Sequence, residues 1–310
     1  SSDLSLAATP AAAEAPDFTF RTIDGASLTL STFFIVAAVL IASSARNLAK
    51  DPDAAALFLD DGIWPKGSGW TAIPDNRLDQ SRVAASLAHM VEAGPRSFYE
   101  GDLAQAMAQD VQDKGGCLAA EDLAGYSVWR GAARPVDYRD ARFHVMPGLT
   151  AGPTFARVLE QLETADLSTP AATYVAYARA LDQAHAERLG KMGDDGEVPE
   201  APGCTTHFSV VDRDGNMVTH TQTLLSIFGS RVVSPSTGFL MNNGIMWFDP
   251  VQGRPNSLGP NKRCLMNVCP VIGEQGDKRF AFGASGGRKI LGAVAQLSSF
   301  MTDFDMSLEE

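Results

Sequence analysis

The spacing of apolar residues divides the chain into a helical part and a later, strand-rich part. Up to about residue 185, apolar side chains recur at helical spacing and predict helices with one buried face; the clearest are residues 82–91, 102–112 and 155–162. A short apolar segment at 143–146 predicts a strand that ends at Pro147 and Gly148. The longest apolar run, residues 33–42, is about half as long as a bilayer span requires. It therefore predicts a buried core helix rather than a membrane span.

A linker separates the two parts. Residues 190–203 read GKMGDDGEVPEAPG and are acidic and rich in glycine and proline, so we expect an exposed, mobile linker over about 186–204. Beyond it, alternating apolar residues predict four strands and a last helix, at 206–211, 218–225, 237–241, 279–282 and 289–301. A domain boundary explains the linker as well as a processing site does, and its composition does not separate the two.

Composition and charge narrow the possible functions. The 310 residues include 25 Lys and Arg against 37 Asp and Glu, a formal net charge of −12, which argues against nucleic acid because phosphate binding requires a basic face. The 4 cysteines lack C-x-x-C spacing, and His207 and His220 could at best face each other across a hairpin, so no metal site is predicted. We expect no cofactor. The sequence indicates a soluble protein but leaves periplasm and cytoplasm open.

The segment Gly283-Ala284-Ser285-Gly286-Gly287 fits the G-x-S-x-G pattern of a hydrolase nucleophile turn. In α/β-hydrolases the acid and the histidine of the triad follow the serine, but no residue after Gly287 is a histidine. Ser285 is therefore not expected to be the nucleophile. Two glycines at a helix start leave backbone N–H groups accessible to a negatively charged oxygen, which favours an oxyanion hole. A plain strand-to-helix turn explains the same residues, whereas the Walker spacing of a phosphate loop is absent.

A nucleophile is instead predicted at Thr205, directly after the linker. Asp214-Gly215 is a typical hairpin turn, and a turn centred there puts Thr205 opposite roughly Thr223. The β propensity of threonine alone also explains such a pair. If the chain were cut between Cys204 and Thr205, however, Thr205 would carry an α-amino group with a pKa of about 7.7–8.0, which can take the proton of its own hydroxyl. No histidine or carboxylate would then be needed.

Several motifs in this order resemble the γ-glutamyltranspeptidase family. TTHFSVVDRDGNMV, FGSRVVSPSTGFLMNNG, GPNKR and GASGGRKI resemble its small subunit. Upstream, RSFYEGDLAQAM and GGCLAAEDLAGYSVW resemble the later part of its large subunit. The resemblance covers about residues 45–310, and four ordered motifs make it far more specific than a single glycine pattern.

The resemblance implies an α+β fold of the N-terminal nucleophile (Ntn) hydrolase type, a four-layer αββα sandwich, with the family's outermost segments missing at both ends. Residues 1–204 would be the later part of the large subunit and residues 205–310 the small subunit, forming one joint domain after the precursor cuts itself. The catalytic positions that match the family are the nucleophile Thr205, its hydroxyl partner Thr223 and the oxyanion-hole pair Gly286 and Gly287.

The substrate-binding positions depart from the family. They are Leu225 in place of the usual Asn, Gly244 and Trp247 where many members have Gln or Glu and then Asp, and Met266 and Asn267 in place of a serine pair. A buried substrate ammonium without a carboxylate partner is strongly disfavoured. Asp249, two residues after Trp247, would share its face if this segment is a strand and could replace the missing acid. We expect Trp247 and Met266 to form an apolar pocket that shifts the acyl preference.

These residues predict an amide hydrolase or acyltransferase that resembles γ-glutamyltranspeptidase and acts on glutathione-like γ-glutamyl amides. Water or an amine would resolve the acyl-enzyme, and neither metal nor cofactor is expected. Two alternatives stay open at this point. One is a related acylase with another acyl group, like the cephalosporin acylases. The other is an unprocessed, catalytically silent relative.

Overall fold

The computed structural model describes residues 20–21, 27–28, 30–66, 78–193 and 203–307. Its α-helices are α1 Leu30–Leu48, α2 Pro52–Phe58, α3 Ser81–Ala93, α4 Asp102–Asp113, α5 Ala120–Ala124, α6 Gly152–Leu162, α7 Pro170–Arg188 and α8 Lys289–Asp303. Its strands are β1 Phe20–Arg21, β2 Ser27–Leu28, β3 Leu59–Asp60, β4 Trp64–Pro65, β5 Arg134–Tyr138, β6 Ala141–Val145, β7 Gly203–Val211, β8 Met217–Ser226, β9 Val271–Gln275 and β10 Lys278–Phe282. Short 3₁₀ turns span Pro95–Phe98 and Gly244–Trp247, and a π turn spans Leu189–Gly193.

Helical spacing predicted α3, α4, α6 and α8 correctly, within a few residues at each end. Local chemistry fixes the start of α7: the Thr169 side chain accepts a hydrogen bond from the Ala172 N–H, and Pro170 occupies the first turn. The strand predicted at 143–146 is confirmed as β6. Strands β5 and β9 were not predicted, since β5 contains Pro135 and an Asp and β9 a Gly and a Glu, which strands disfavour.

A four-stranded antiparallel sheet in the order β10-β9-β6-β5 forms the centre of the fold. It pairs β6, from before the linker, with β9, from after it. One face of the sheet shares a hydrophobic core with α6, α7 and α8; its fully buried side chains include Phe143, Val145, Phe155, Leu159, Val271, Ile290 and Val294. The fold is thus mixed α/β. The second central sheet of the predicted αββα sandwich and its four-layer order stay predictions.

Helix α1 is amphipathic over the residues whose side chains are described. Ile41, Ser44 and Leu48 are buried at helical spacing, whereas Val39 is 60% exposed. The helix predicted from residues 33–42 is therefore confirmed. It packs along one stripe against α2, which leaves Val39 outside the core. Within the described ranges, no helix is long and apolar enough to cross a membrane.

The strand predicted at 237–241 is wrong, because this segment forms a tight turn joined only by a single bridge from Val233 to Leu240. Gly238 has a φ of +79° and donates its N–H to the Ser234 carbonyl at 2.8 Å. The Thr237 hydroxyl donates to Ser234 Oγ at 2.7 Å. These local hydrogen bonds compete with a ladder, as Ser and Thr side chains often do. These hydrogen bonds hold the segment in a turn, although the alternation of its apolar residues favours a strand.

The predicted linker begins later than expected. Helix α7 continues to Arg188 and the π turn to Gly193, because Arg188 is only 4% exposed and tied to the protein interior. At the other end, β7 already begins at Gly203. The remaining linker, residues 194–202, lies outside the described residues.

Candidate active site

The β7–β8 hairpin carries the predicted nucleophile. Its turn is fixed by Asp212, whose Oδ1 accepts the N–H groups of Asp214 and Asn216, both at 2.9 Å, and by Gly215 with a φ of +81°. The resulting register pairs Thr205 with Thr223, as the turn predicted.

The two threonine hydroxyls are in hydrogen-bond contact. Thr205 Oγ1 donates to Thr223 Oγ1 at 3.3 Å, and Thr223 Oγ1 also accepts the Leu225 N–H at 2.9 Å. The Leu225 N–H therefore fixes the position of the oxygen that faces Thr205. Both side chains are half-buried. The predicted pairing is confirmed, and the catalytic roles of the two residues stay a prediction.

A β-bulge lies beside the peptide bond that is predicted to be cut. Gly203 pairs with Ser226 and Thr205 with Thr223, so one residue of β7, Cys204, opposes two of β8. One of these two, Leu225, has a φ of +76°, a left-handed conformation that costs a residue other than glycine about 1–2 kcal/mol. Bulges that strain the backbone are common beside functional sites. The sequence did not reveal this bulge.

The turn before α8 contains the predicted oxyanion-hole pair. Gly286 and Gly287 have φ values of +126° and +60°, conformations that require glycine. The Lys289 N–H donates to the Gly286 carbonyl at 3.1 Å and the Ile290 N–H to the Gly287 carbonyl at 3.3 Å, which ties this turn to the first turn of the helix. A Cβ on Gly287 would meet nothing within 4 Å. The turn therefore borders open space at Gly287.

A row of polar side chains shares the face of Thr205. Because residues two apart on a strand point the same way, Thr205 is followed by His207 and Ser209, opposite Thr223, Thr221 and Thr219. Sequence reasoning mentioned His207 only when it argued against a metal site, noting that His207 and His220 could at best face each other. In the structure His207 pairs with Thr221, and His220 pairs with Phe208 on the other face. The alternation Thr205-x-His207-x-Ser209 was the signal that could have identified His207 as a neighbour of Thr205.

Arg188 holds the segment that contains Met266 and Asn267. Its Nη2 donates to the Met266 carbonyl at 2.8 Å and to Asn267 Oδ1 at 3.4 Å. Its Nη1 donates to the Thr150 carbonyl at 2.8 Å and to Thr154 Oγ1 at 3.0 Å. Sequence reasoning missed Arg188, which has no local signal in the helix. The end of α7 is thereby tied to two of the predicted substrate-binding positions.

Asp249 does not lie on a strand, so the argument that it shares a face with Trp247 is wrong. Gly244 and Trp247 form a 3₁₀ turn instead. Asp249 is 1% exposed, accepts the Val251 N–H at 2.7 Å, and pairs with Arg254 at 3.1 Å. Both of its carboxylate oxygens therefore have partners within the protein. A role as ammonium ligand, and a pocket between Trp247 and Met266, stay predictions.

In the part of the chain that the structure describes, no three His, Cys, Asp or Glu side chains form a group that could hold an ion. The thiol of Cys269 is buried, and this burial raises its pKa to about 12. The thiol is therefore protonated at neutral pH and unsuited to nucleophilic attack.

Comparisons with known proteins identify the family. The sequence profile of the family described as Gamma-glutamyltranspeptidase matches residues 34–202 and 183–310. The chain is 29% identical over 286 residues to the glutathione hydrolase proenzyme of Escherichia coli (strain K12), covering 75% of this chain and 49% of that protein. It is 29% identical over 311 residues to the acylase ACY 1 proenzyme of Pseudomonas sp. (strain V22), covering 87% and 54%. The chain thus spans about half the length of these curated relatives.

The fold is similar to that of a cephalosporin acylase from Bacillus halodurans. The TM-score is 0.70 with 22% identity, covering 89% of this chain and 56% of that one. This structural similarity is evidence for the fold alone. Since the two segments matched by the family profile together cover most of the chain, the protein belongs to the gamma-glutamyltranspeptidase family.

Proposed function

We propose that this protein is a γ-glutamyltranspeptidase-like amide hydrolase and acyltransferase, with Thr205 as a nucleophile that is released when the precursor cuts itself after Cys204. The observation that carries the proposal is the contact of 3.3 Å between the hydroxyls of Thr205 and Thr223. The Leu225 N–H holds the second hydroxyl in place. Relatives named as proenzymes support a precursor that is processed into two subunits.

In the proposed reaction, Thr205 Oγ1 attacks the acyl carbon of the substrate amide while the α-amino group of Thr205 takes the hydroxyl proton. The tetrahedral intermediate then expels the amide nitrogen, which receives that proton, and an acyl ester remains on Thr205. Water or an amine attacks the ester and releases the acid or the transfer product. The amino group has a suitable pKa of about 7.7–8.0 in its ordinary state.

The N–H groups of Gly286 and Gly287 would stabilise the negative oxygen of the intermediate. The left-handed conformations of both glycines and the open space beside Gly287 support this role. Removing one such donor in a well-studied protease costs about 3–4 kcal/mol of barrier. Ser285 is exposed on the same turn and takes no part in the proposed reaction.

The proposed substrates are glutathione-like γ-glutamyl amides, with water or an amine as acceptor. An acylase for another acyl group is the second candidate. It is favoured by Leu225, Gly244 and Met266, which replace polar residues of the family, and by the pairing of Asp249 with Arg254. A relative named as an acylase is consistent with this candidate.

The first test is the intact mass of the purified full-length protein under denaturing conditions. Two fragments that meet between Cys204 and Thr205 are expected, and a Thr205→Ala variant should stay uncut. Thr206→Ala is the matched control, because Thr206 is the adjacent threonine on the opposite, exposed face of β7. A wild-type protein that stays in one piece would support the silent relative and overturn the proposal.

The second test compares substrates on the cleaved protein. Hydrolysis of a γ-glutamyl anilide is measured beside that of an anilide whose acyl group has the same length but lacks the amino group. Faster turnover of the γ-glutamyl anilide supports a glutathione hydrolase. Faster turnover of the other anilide supports the acylase candidate.

A further inference from the structure

The imidazole ring of His207 lies between Thr221 of β8 and Gly283, the residue that begins the segment leading to Gly286 and Gly287. On one side, its Nδ1 is 2.8 Å from Thr221 Oγ1. On the other, its Nε2 is 3.2 Å from Ser209 Oγ and 3.3 Å from Thr219 Oγ1. Hydroxyl groups therefore hold the ring in one orientation with either tautomer, because each hydroxyl can donate or accept.

The ring also touches the backbone of Gly283. A Cβ placed on Gly283 would lie 2.3 Å from Cε1 and 2.4 Å from Nδ1 of His207, far inside van der Waals contact. The φ of Gly283 is outside the left-handed region that favours glycine. Space for the ring, and not backbone conformation, is therefore the reason for glycine at this position.

A second contact beside the ring ties the hairpin to the same turn. Thr219 Oγ1 donates to the Phe282 carbonyl at 3.2 Å. Three residues after Gly283 comes Gly286, whose carbonyl accepts the Lys289 N–H at the start of α8. The buried Ile290 and Leu291 hold α8 in the core. The glycine turn is thus fixed by α8 at one end and by the hairpin at the other.

We propose that His207 is a positioning residue that sets the distance between the nucleophile Thr205 and the oxyanion donors of Gly286 and Gly287. This inference rests on the proposed function. His207 lies two residues from Thr205 on the same strand face, and its ring contacts Gly283, three residues before the first donor, Gly286. Burial, and second the nearby His220, lower the pKa of His207, so the ring is neutral at neutral pH and packs against the glycine without a charge.

The consequence concerns the transition state more than substrate binding. Oxyanion donors act on the charge that develops during attack, and a misplacement of about 1 Å can cost about 100-fold in rate. His207→Ala should therefore lower kcat about 10- to 100-fold with little change in KM. His207→Asn, whose amide can keep the bond to Thr221, should recover part of that loss.

A mutant cycle with Gly283→Ala tests the proposal on the full-length, cleaved enzyme. In the wild-type background the added methyl group meets the ring, so we expect a loss in kcat of similar size. In the His207→Ala background the space is vacant, and the same substitution should cost at least about tenfold less. Rates are normalised to the cleaved fraction, measured by intact mass. If a variant cleaves too slowly to give cleaved enzyme for the assay, the half-time of self-cleavage is compared across the four proteins instead.

His220→Ala is the matched control, since His220 lies on the same hairpin but on its opposite, exposed face; its kcat should stay within about twofold of wild type. If the losses in kcat of the two single variants simply multiply in the double variant, or if only KM changes, the positioning role is overturned. The proposed function would stay intact. A wild-type protein with neither self-cleavage nor amide hydrolysis would instead overturn the proposed function, and this inference with it.

Discussion

Arg188, the last residue of α7, donates a hydrogen bond from Nη2 to the carbonyl oxygen of Met266, 2.8 Å away. The contact joins a residue from before the linker to a predicted substrate-binding position after it. Since Arg188 is 4% exposed and also binds Thr150 and Thr154, its guanidinium is the shared donor that joins two segments of the chain, residues 150–154 and 266–267, to the end of α7.

Arg188→Met should therefore destabilise the protein strongly. It leaves the carbonyl oxygens of Thr150 and Met266 without this donor. Hydrogen bonds to a charged group contribute about 1.5–3 kcal/mol each, so we expect a loss of about 3 kcal/mol or more in the free energy of unfolding. Chemical denaturation measures this loss. Arg157→Met is the control, because Arg157 pairs with Glu187 and Glu160 at a more exposed position, and it should cost much less. Equal losses in the two variants would contradict the shared-donor role.

Thr223→Val should slow the enzyme without preventing folding. The valine has the shape of threonine but cannot accept the N–H of Leu225 or the hydroxyl of Thr205. Losing these bonds should lower kcat about tenfold or more and cost about 1 kcal/mol in the free energy of unfolding. Thr223→Ser keeps the hydroxyl and should stay close to wild type. Turnover of the preferred anilide is measured for both variants. A Val variant as active as the Ser variant would show that catalysis does not need the contact between the two hydroxyls.

At position 225, a glycine variant should be more stable than an alanine variant, which is the reverse of the usual order in a strand. The φ of Leu225, +76°, is a conformation that alanine disfavours and glycine adopts readily. Although glycine in a strand normally costs about 0.5–1 kcal/mol relative to alanine, Leu225→Gly should unfold with about 1 kcal/mol more free energy than Leu225→Ala. Both variants remove the leucine contacts beyond Cβ, so their difference reflects mainly the backbone conformation. The normal ranking in a denaturation experiment would argue against the bulge.

Acidification should destabilise the protein before its carboxylates titrate. Burial, followed by Arg188 and Arg288, lowers the pKa of His185, and burial and then His220 lower that of His207. Between these lowered pKa values and the unfolded value of about 6.5, the unfolded state binds more protons, so the free energy of unfolding falls as the pH drops through about 6.5. Above that pH this stabilisation is fully present.

Chemical denaturation at several pH values between about 5 and 8 measures this effect. The slope with pH should become smaller in His185→Gln and in His207→Gln, because each variant removes one of the two groups. Carboxylates such as Asp137, whose pKa is lowered mainly by its hydrogen bond to Arg142, lose their contribution only at still lower pH. A free energy of unfolding that stays constant from pH 8 to pH 5 would show that the two histidines are not buried as described.

Local features of the fold were predictable from the sequence where neighbouring residues determine them. Asp214 and Gly215 predict the turn of the hairpin, which Asp212 and Gly215 fix in the structure, and the turn fixes the register that pairs Thr205 with Thr223. Helical spacing likewise located α3, α4, α6 and α8. In contrast, the strand predicted at 237–241 is wrong, since the Ser234 and Thr237 hydroxyls make hydrogen bonds that apolar alternation does not reveal.

Family motifs in the sequence also identified the candidate site, but tertiary contacts decided its geometry. The contact of His207 with Gly283, the bonds from Arg188 to Met266 and the pairing of β6 with β9 each join segments that are far apart in the chain. The pairing of Asp249 with Arg254 is short in sequence, yet it depends on burial that no local pattern predicts. Turn chemistry and periodicity act between near neighbours, so the sequence by itself determined the hairpin and the helices. Packing and burial depend on which distant segments meet, and only the tertiary structure decided those contacts.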